Sequence, residues 1–481
     1  MKRNNLFYLI IFCSIIFSCS SESDKSDGNT LKIKEKKIVN HDLDEVLAEG
    51  VLNVSTTYSA TSYFLYKGQT MGFEYEILQR FAEHLGVKLN MKIETNINNL
   101  ITNLNEGEVD LMAFGLTVTN QRKKEISFSS FVYQTHQVLV QKKPDNWRKL
   151  NWSKIEKSLI HDAIELIDDT VSVRYKTAYY ARLKNMEEEM GGVIYIDTVD
   201  GKIPTDEIIS MVAEGKLKYT IADDNIARLL SSNYPILNID VPISLSQNAA
   251  WATRHSSPKL LEALNEWLIA FKKETTYYVI YNKYFKNKRN FKKRIKSDFY
   301  SLNTNTISQY DELIKKRADM LDWDWRLLAS LIYQESRFDP RAKSWAGAGG
   351  LMQVMPATAK ELGIKDRSNP AQSVIGGTKY LQQLWQRFDS ISDDTQRIKF
   401  VMASYNCGHG HVLDAQRLAT KNGLDKFIWD DNVEQMILDL SHKKYYTDPL
   451  VRHGYVRGAE PYHYVQQIFE RYKHYKDFIK K

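Results

Sequence analysis

Near residue 300 the hydrophobic periodicity of this chain changes, and that change restricts the fold more than any single motif. From Gly50 onward, short β-rich runs alternate with amphipathic stretches. Residues 51–55 read as a strand, 76–85 as a helix closed by Gly86, 87–91 as the next strand, 98–104 as a second helix and 109–114 as a buried strand. A glycine just past the last periodic position takes the left-handed conformation that ends a helix. Strands alternating with helices imply βαβ units and a mostly parallel sheet, whose ligands sit at the carboxyl ends of strands. From Ile307 only helical spacing remains. Leu327, Leu328, Leu331 and Ile332 share one face of 325–335, and Val374, Gly377, Leu381, Leu384, Trp385 and Phe388 one side of 374–388. A third such stretch, 398–405, runs up to Gly408. An α/β module followed by an all-α domain is the expectation.

The length of 481 residues accommodates two to four domains. Three cysteines cannot build a disulfide framework, so buried apolar surface must hold the fold together. Lys2 and Arg3 precede an apolar run over 6–17, a pattern that reads as a secretory signal and is too short for a comfortable span of about 20 residues. The run ends in Ile16-Phe17-Ser18-Cys19, which resembles a bacterial lipobox and implies a signal over 1–18 and a lipid on Cys19; cleavage as a simple signal near Ser18 is the alternative. Residues 20–37 are Ser-, Asp-, Lys- and Gly-rich and read as a solvated tether, assigned to 19–46. Cys407 is then the only thiol of the mature chain, consistent with an oxidising envelope compartment. A lipid-anchored envelope protein, at the outer membrane facing the periplasm, is expected. The formal charge of +7 suits an anionic partner without choosing one. Part of it sits in 283–296, a Lys/Arg run with no acid, read as a solvated face or as a surface for anionic lipid or wall polymer. No nucleic-acid module accompanies it, and no nucleic-acid partner is expected.

In the first region the turn after Phe114 carries Thr117, Thr119 and Arg122. Gly72-Phe73-Glu74, Gly107-Glu108-Val109-Asp110-Leu111, Leu116-Thr117-Val118-Thr119-Asn120-Gln121-Arg122 and Phe128-Ser129 follow in order, and Tyr281-Asn282-Lys283-Tyr284-Phe285 closes the region. This series resembles family-3 periplasmic solute-binding proteins over 47–290. The resemblance implies two α/β lobes joined by two strands, here near 138–142 and 241–250. It also implies that Arg122 grips an α-carboxylate, for which a planar guanidinium is suited. Thr117 and Thr119 would add donors, and Asp223 would receive the ligand's ammonium. Thr177 stands where the family has Gly-Thr, but Lys176 replaces the glycine. A surface ion pair for Arg122 and helix capping by Asp223-Asp224 are the structural alternatives.

Beyond a basic linker at 291–306, the informative residue of the second region (307–481) is Glu335, in Tyr333-Gln334-Glu335-Ser336-Arg337-Phe338. A carboxyl group at the end of an apolar helix, beside Ile332 and Phe338, has its charged form disfavoured. A rise from about 4.3 to about 6 would keep a proton available for a glycosidic oxygen near neutral pH. Alone, the position also fits a partly exposed structural glutamate. Ala348-Gly349-Gly350-Leu351-Met352-Gln353-Val354-Met355-Pro356, Ser404-Tyr405-Asn406-Cys407-Gly408 and Glu460-Pro461-Tyr462-His463-Tyr464-Val465 come after it in order. Together they resemble the family-1 soluble lytic transglycosylase domain, which cleaves peptidoglycan and has an all-α lysozyme-like fold. The Tyr-Asn-x-Gly motif also explains the turn holding Cys407, His409 and His411, whose alternate spacing is not a usual zinc pattern; neither metal nor cofactor is expected.

The resemblance makes Glu335 the catalytic acid and then base, closing a 1,6-anhydro ring on N-acetylmuramic acid through the sugar's own 6-hydroxyl. Ser336 would hold Glu335 by a hydrogen bond, and Tyr405 would aid the developing charge. Gln353 would offer its amide to sugar, with Met352, Asn406, Glu460 and Tyr464 as further contacts, and Gly349-Gly350 would let backbone approach the glycan. The solute-binding-like module would sense a wall-derived peptide or amino acid. A binding lipoprotein with a silent catalytic lobe and a hydrolytic muramidase remain as alternatives at this point.

Overall fold

The computed structural model describes residues 39–480 except Thr95. The expected signal, Cys19 and residues 20–38 of the tether lie outside the described residues. The remaining tether positions are packed structure: the carbonyls of Val39 and His41 accept from Ser256 and Arg254, and the helix Leu43–Glu49 buries Val46. No helix among the described residues is long and apolar enough to cross a membrane.

The first lobe is built on a mixed sheet. Val51–Thr56 pairs in parallel with Lys88–Ile93 on one side and Leu111–Thr117 on the other. The returning strand Gln247–Thr253 lies antiparallel to Leu111–Thr117 and also pairs with Ser127–Phe128 and Tyr133–Thr135. The helix Phe73–Leu85 begins three residues before its apolar pattern suggests, and Gly86 ends it at a φ of 71°. The second lobe holds Gln137–Lys142 between Tyr219–Asp223 and Leu237–Asn238, all antiparallel, with Thr170–Arg174 parallel to Tyr195–Val199. The two connections between lobes run side by side at 137–139 and 241–243, where Leu139 donates to the Val241 carbonyl at 2.9 Å and Ile243 to that of Gln137 at 2.8 Å.

The basic segment is more ordered than its composition suggests. Lys288–Ile295 is a helix whose Phe291 and Arg294 are buried, the guanidinium lying over the Phe64 and Tyr284 rings. Its lysines remain exposed, so one face packs and the other is solvated.

From Asp311 the chain is helical, and its core gathers around Trp325–Ser336, Pro370–Arg387, Asp394–Cys407 and the closing helix Ala459–Phe478. Asp324, Asn369 and Asp393 cap the first three, each accepting a backbone N–H of the first turn. Leu65 belongs to this helical core although it comes from the first lobe, on the hairpin Phe64–Tyr66 and Gln69–Met71. The same hairpin brings the Gly68 carbonyl to the Tyr475 hydroxyl at 2.7 Å.

Candidate active site and solute cleft

Trp325–Ser336 is apolar along most of its length and carries Glu335 at its end. The closing helix grips it through polar bonds. Ser330 Oγ donates to the Ile468 carbonyl at 2.7 Å, Arg471 donates to the Ser330 carbonyl at 3.3 Å and to Gln334 at 3.0 Å, and Gln334 donates to Gln467 at 2.9 Å. That registration sets the buried Tyr464 opposite Glu335, and its hydroxyl donates to Glu335 Oε1. Burial pushes the Glu335 carboxyl up to about 7, against the opposing pull of the Tyr464 hydrogen bond. No second carboxylate among the described residues adds its charge to those two influences. Asp339, the next acid in the chain, is exposed and accepts the Arg341 N–H at 2.9 Å.

Past Glu335 the backbone turns through two non-glycine residues in the left-handed region, Arg337 at φ 51° and Phe338 at 61°. Each such residue is held there only by its surroundings. The chain then enters a hairpin tied by bridges from Lys343 to Gly349 and from Gly349 to Val354, with Gln353 also left-handed at φ 45°. Tyr405, on Asp394–Cys407, donates its hydroxyl to the Met352 carbonyl at 2.7 Å. Burial first, and then the Glu335 charge, raise its phenol well above the ordinary range. The helices that carry Tyr464 and Tyr405 therefore meet at one carboxyl group, and the second of them is tied to the hairpin.

A cavity lies between the lobes of the first module and is lined from both sides, by Tyr58, Thr61, Thr117 and Arg122 on one and by Arg174, Thr177, Tyr179, Asp206 and Asp223 on the other. Arg122 donates to the Thr117 carbonyl at 2.9 Å, and burial brings its guanidinium down to about 10. Asp223 ends its strand and begins the next helix without capping it; its side chain takes the Tyr179 hydroxyl, and burial raises it to about 7.

Family models match the chain in two places: "Bacterial extracellular solute-binding proteins, family 3" over residues 51–287 and "Transglycosylase SLT domain" over residues 312–428. A membrane-bound lytic murein transglycosylase F from Desulfosudis oleivorans is 35% identical over 89% of this chain and 90% of its own length. The chain belongs to the membrane-bound lytic murein transglycosylase F family. Relatives of the same name from Shewanella woodyi and Vibrio cholerae are 33% and 32% identical over 92% and 90% of this chain, covering 87% and 80% of their own lengths.

Set in that family, the expected site residues divide into those that meet at Glu335 or line the inter-lobe cavity and those that brace them. Glu335, Tyr405 and Tyr464 meet. Ser336 does not hold Glu335: its hydroxyl donates to the Leu351 carbonyl at 2.8 Å and the Ile332 carbonyl at 3.2 Å, tying the helix end to the hairpin. Met352 is fully buried, and a Cβ on Gly377 would come within 2.4 Å of its sulfur, so only its carbonyl serves the site. Gln353 spends its amide N–H groups on the Ala342 and Gly350 carbonyls at 3.0 and 2.9 Å. Gly350 is needed for internal reasons, since it has φ 82° and a Cβ there would stand 1.8 Å from the Arg367 carbonyl. Asn406 is exposed at the end of its helix, and Glu460 is exposed and paired with Arg457 at 3.3 Å.

In the solute module Thr117, Arg122, Thr177 and Asp223 line one cavity, while Thr119 lines the adjoining mouth and accepts the Arg122 N–H at 3.3 Å. Thr177 caps its helix by accepting the Tyr180 N–H, and Lys176 takes φ 57°, the conformation that the family's glycine would adopt without strain. Sequence reading passed over Arg174, Tyr179 and Asp206. The available signal was a charge closing the apolar run Val171-Ser172-Val173.

Proposed function

We propose that the chain is a peptidoglycan lytic transglycosylase that cuts the β-1,4 bond between N-acetylmuramic acid and N-acetylglucosamine without water. The observation that carries this reading is the part-buried Glu335, poised near neutrality, held by Tyr464 and without a second carboxylate acting on it among the described residues. Glycosidases that use water need two carboxyl groups about 5–9.5 Å apart. One carboxyl suffices when the substrate supplies both the nucleophile and the charge stabilisation. Protonated Glu335 gives its proton to the glycosidic oxygen as the bond to C1 breaks. The N-acetyl carbonyl shields the developing positive charge at C1. The carboxylate then takes the proton of the 6-hydroxyl while O6 bonds to C1, so Glu335 ends protonated and no water is consumed. Tyr464 steers the carboxyl, and Tyr405 holds the hairpin through Met352.

The module ahead of this domain serves as a sensor of wall-derived amino acids or peptides, with Arg122 for a carboxylate and Asp223 for an ammonium. The chain is held at the outer membrane, facing the periplasm, by lipid on Cys19. Relatives named membrane-bound support the membrane association.

Glu335→Gln tests the acid. Digestion of purified sacculi by the variant should release muropeptides at least about 1000-fold more slowly; digestion at the parental rate would remove Glu335 from the chemistry.

A further inference from the structure

Gln334 and Arg337, which flank Glu335 and Ser336 in the chain, line a polar cavity at the junction of the two modules. Its volume is about 420 Å³, within the range of about 300–1,000 Å³ that holds a small ligand. Gln69 and Gln79 line it from the first module, and Gln467 and Arg471 from the closing helix. Arg471 and Gln334 are also the groups that register the closing helix against the helix of Glu335.

The chemistry of this lining matches a peptide. A carboxamide presents an N–H and a C=O in one plane, as a backbone amide does, so it can meet a peptide bond with a donor and an acceptor. Four carboxamides line the cavity. Gln79 donates to the Tyr75 hydroxyl at 2.8 Å and Gln334 to Gln467 at 2.9 Å, bonds that fix both groups and leave each a second N–H. The charged side chains of the lining are two guanidinium groups, Arg337 and Arg471, and one carboxylate, Glu470. His474 joins them, bonded to the Tyr63 hydroxyl through Nδ1, with Nε2 4.0 Å from Glu470 Oε1. Arg471 is held by the Ser330 carbonyl and Gln334, while Arg337 is exposed. That balance favours a ligand with more carboxylates than ammonium groups. A saccharide would instead lay the C–H face of its ring on an aromatic face. The Tyr333 ring already carries the Arg471 guanidinium at 4.5 Å and the Phe338 ring at 5.8 Å. Tyr75 is buried against Tyr63 and His474.

We propose that this cavity binds a short acidic peptide of the wall, at a site separate from the inter-lobe cleft, with carboxamides on its peptide bonds and Arg337 on a carboxylate. The proposal rests on the reading of the chain as a peptidoglycan-cleaving enzyme and adds a place for the peptide that the glycan bears, whether still on the strand or already released.

Calorimetric titration of the full chain carrying Arg122→Met, which weakens the cleft, with the peptide that an amidase frees from sacculi tests it. The expected result is saturable binding that weakens about 10-fold or more when the peptide's carboxyl groups are converted to amides. Adding Gln69→Glu or Arg337→Gln should weaken binding by a similar factor. Gln69 is exposed, so Gln69→Glu should melt with its parent. With Arg122 intact, cleavage of whole sacculi beside amidase-stripped glycan separates the two sources. Faster cleavage of whole sacculi, lost in Gln69→Glu, assigns the peptide on the strand; equal rates with binding retained assign the released peptide. Binding that survives both variants, that is equal for the peptide and its amide, or that peptide-free glycan displaces would overturn the site. Absence of binding in a preparation that still yields anhydro ends would overturn the site and leave the proposed function standing. Absence of anhydro ends would overturn the proposed function instead.

Discussion

Glu335 reaches its proton affinity through position alone: a helix end, apolar neighbours and one hydroxyl. Burial raises its folded-state pKa to about 7, above the unfolded value of about 4.3. Between those values the folded chain keeps a proton that the unfolded chain has lost, so stability falls as pH rises through this window. Glu335→Gln removes the cost of ionisation. Its Tm should match the parent near pH 4 and exceed it by a few degrees at pH 8, a difference that calorimetric scans at the two pH values would read. The same titration governs activity, because only the protonated form can act as acid. Cleavage should decline tenfold per pH unit above about 7. Tyr464→Phe removes the one influence that favours the charged form, so this alkaline limb should move upward while kcat drops about 10- to 100-fold through lost orientation. A pH–rate profile of the variant with an unmoved limb would show that Tyr464 does not act through Glu335.

At the level of elements, the order of strands and helices was legible because the period changes from mixed to purely helical and because Gly86 and Gly408 stop their helices at positive φ. The meeting of Glu335, Tyr405 and Tyr464 was legible from motif order. What each polar atom does was not. Ser336 and Gln353 spend their hydrogen bonds inside the fold, on partners 15 and 11 residues away that only the hairpin brings near. Gly350 is fixed by the Arg367 carbonyl. The basic segment misled for a related reason: charge obscured Phe291, Arg294 and Ile295, whose spacing marks one helical face. The hairpin account makes Gly350→Ala a folding mutation. It should destabilise the chain by about 2 kcal/mol or more through strained φ and overlap with backbone, seen as a lower midpoint in urea.

On the scale of the molecule, the two modules share structure through contacts that no local reading could supply. The Tyr475 hydroxyl and Gly68 carbonyl are 407 residues apart, and Tyr58, which lines the solute cleft, donates to the Asp477 carbonyl across 419. Gly68 also faces Phe338, three residues after Glu335; a Cβ there would come within 2.6 Å of that ring. One hairpin thus touches the loop that follows the acid, and the adjoining segment borders the cleft. If ligand binding biases this contact, a cleft ligand should change the cleavage rate about fivefold or more. Gly68→Val should erase that response while keeping the ligand's Kd. Equal rates with and without every tight cleft ligand would separate the modules functionally.

The chemistry itself has a direct readout. Sacculi digested in water enriched in ¹⁸O and analysed by mass spectrometry report whether solvent enters the product. The account predicts 1,6-anhydro ends free of the label; reducing ends carrying one ¹⁸O atom would contradict it.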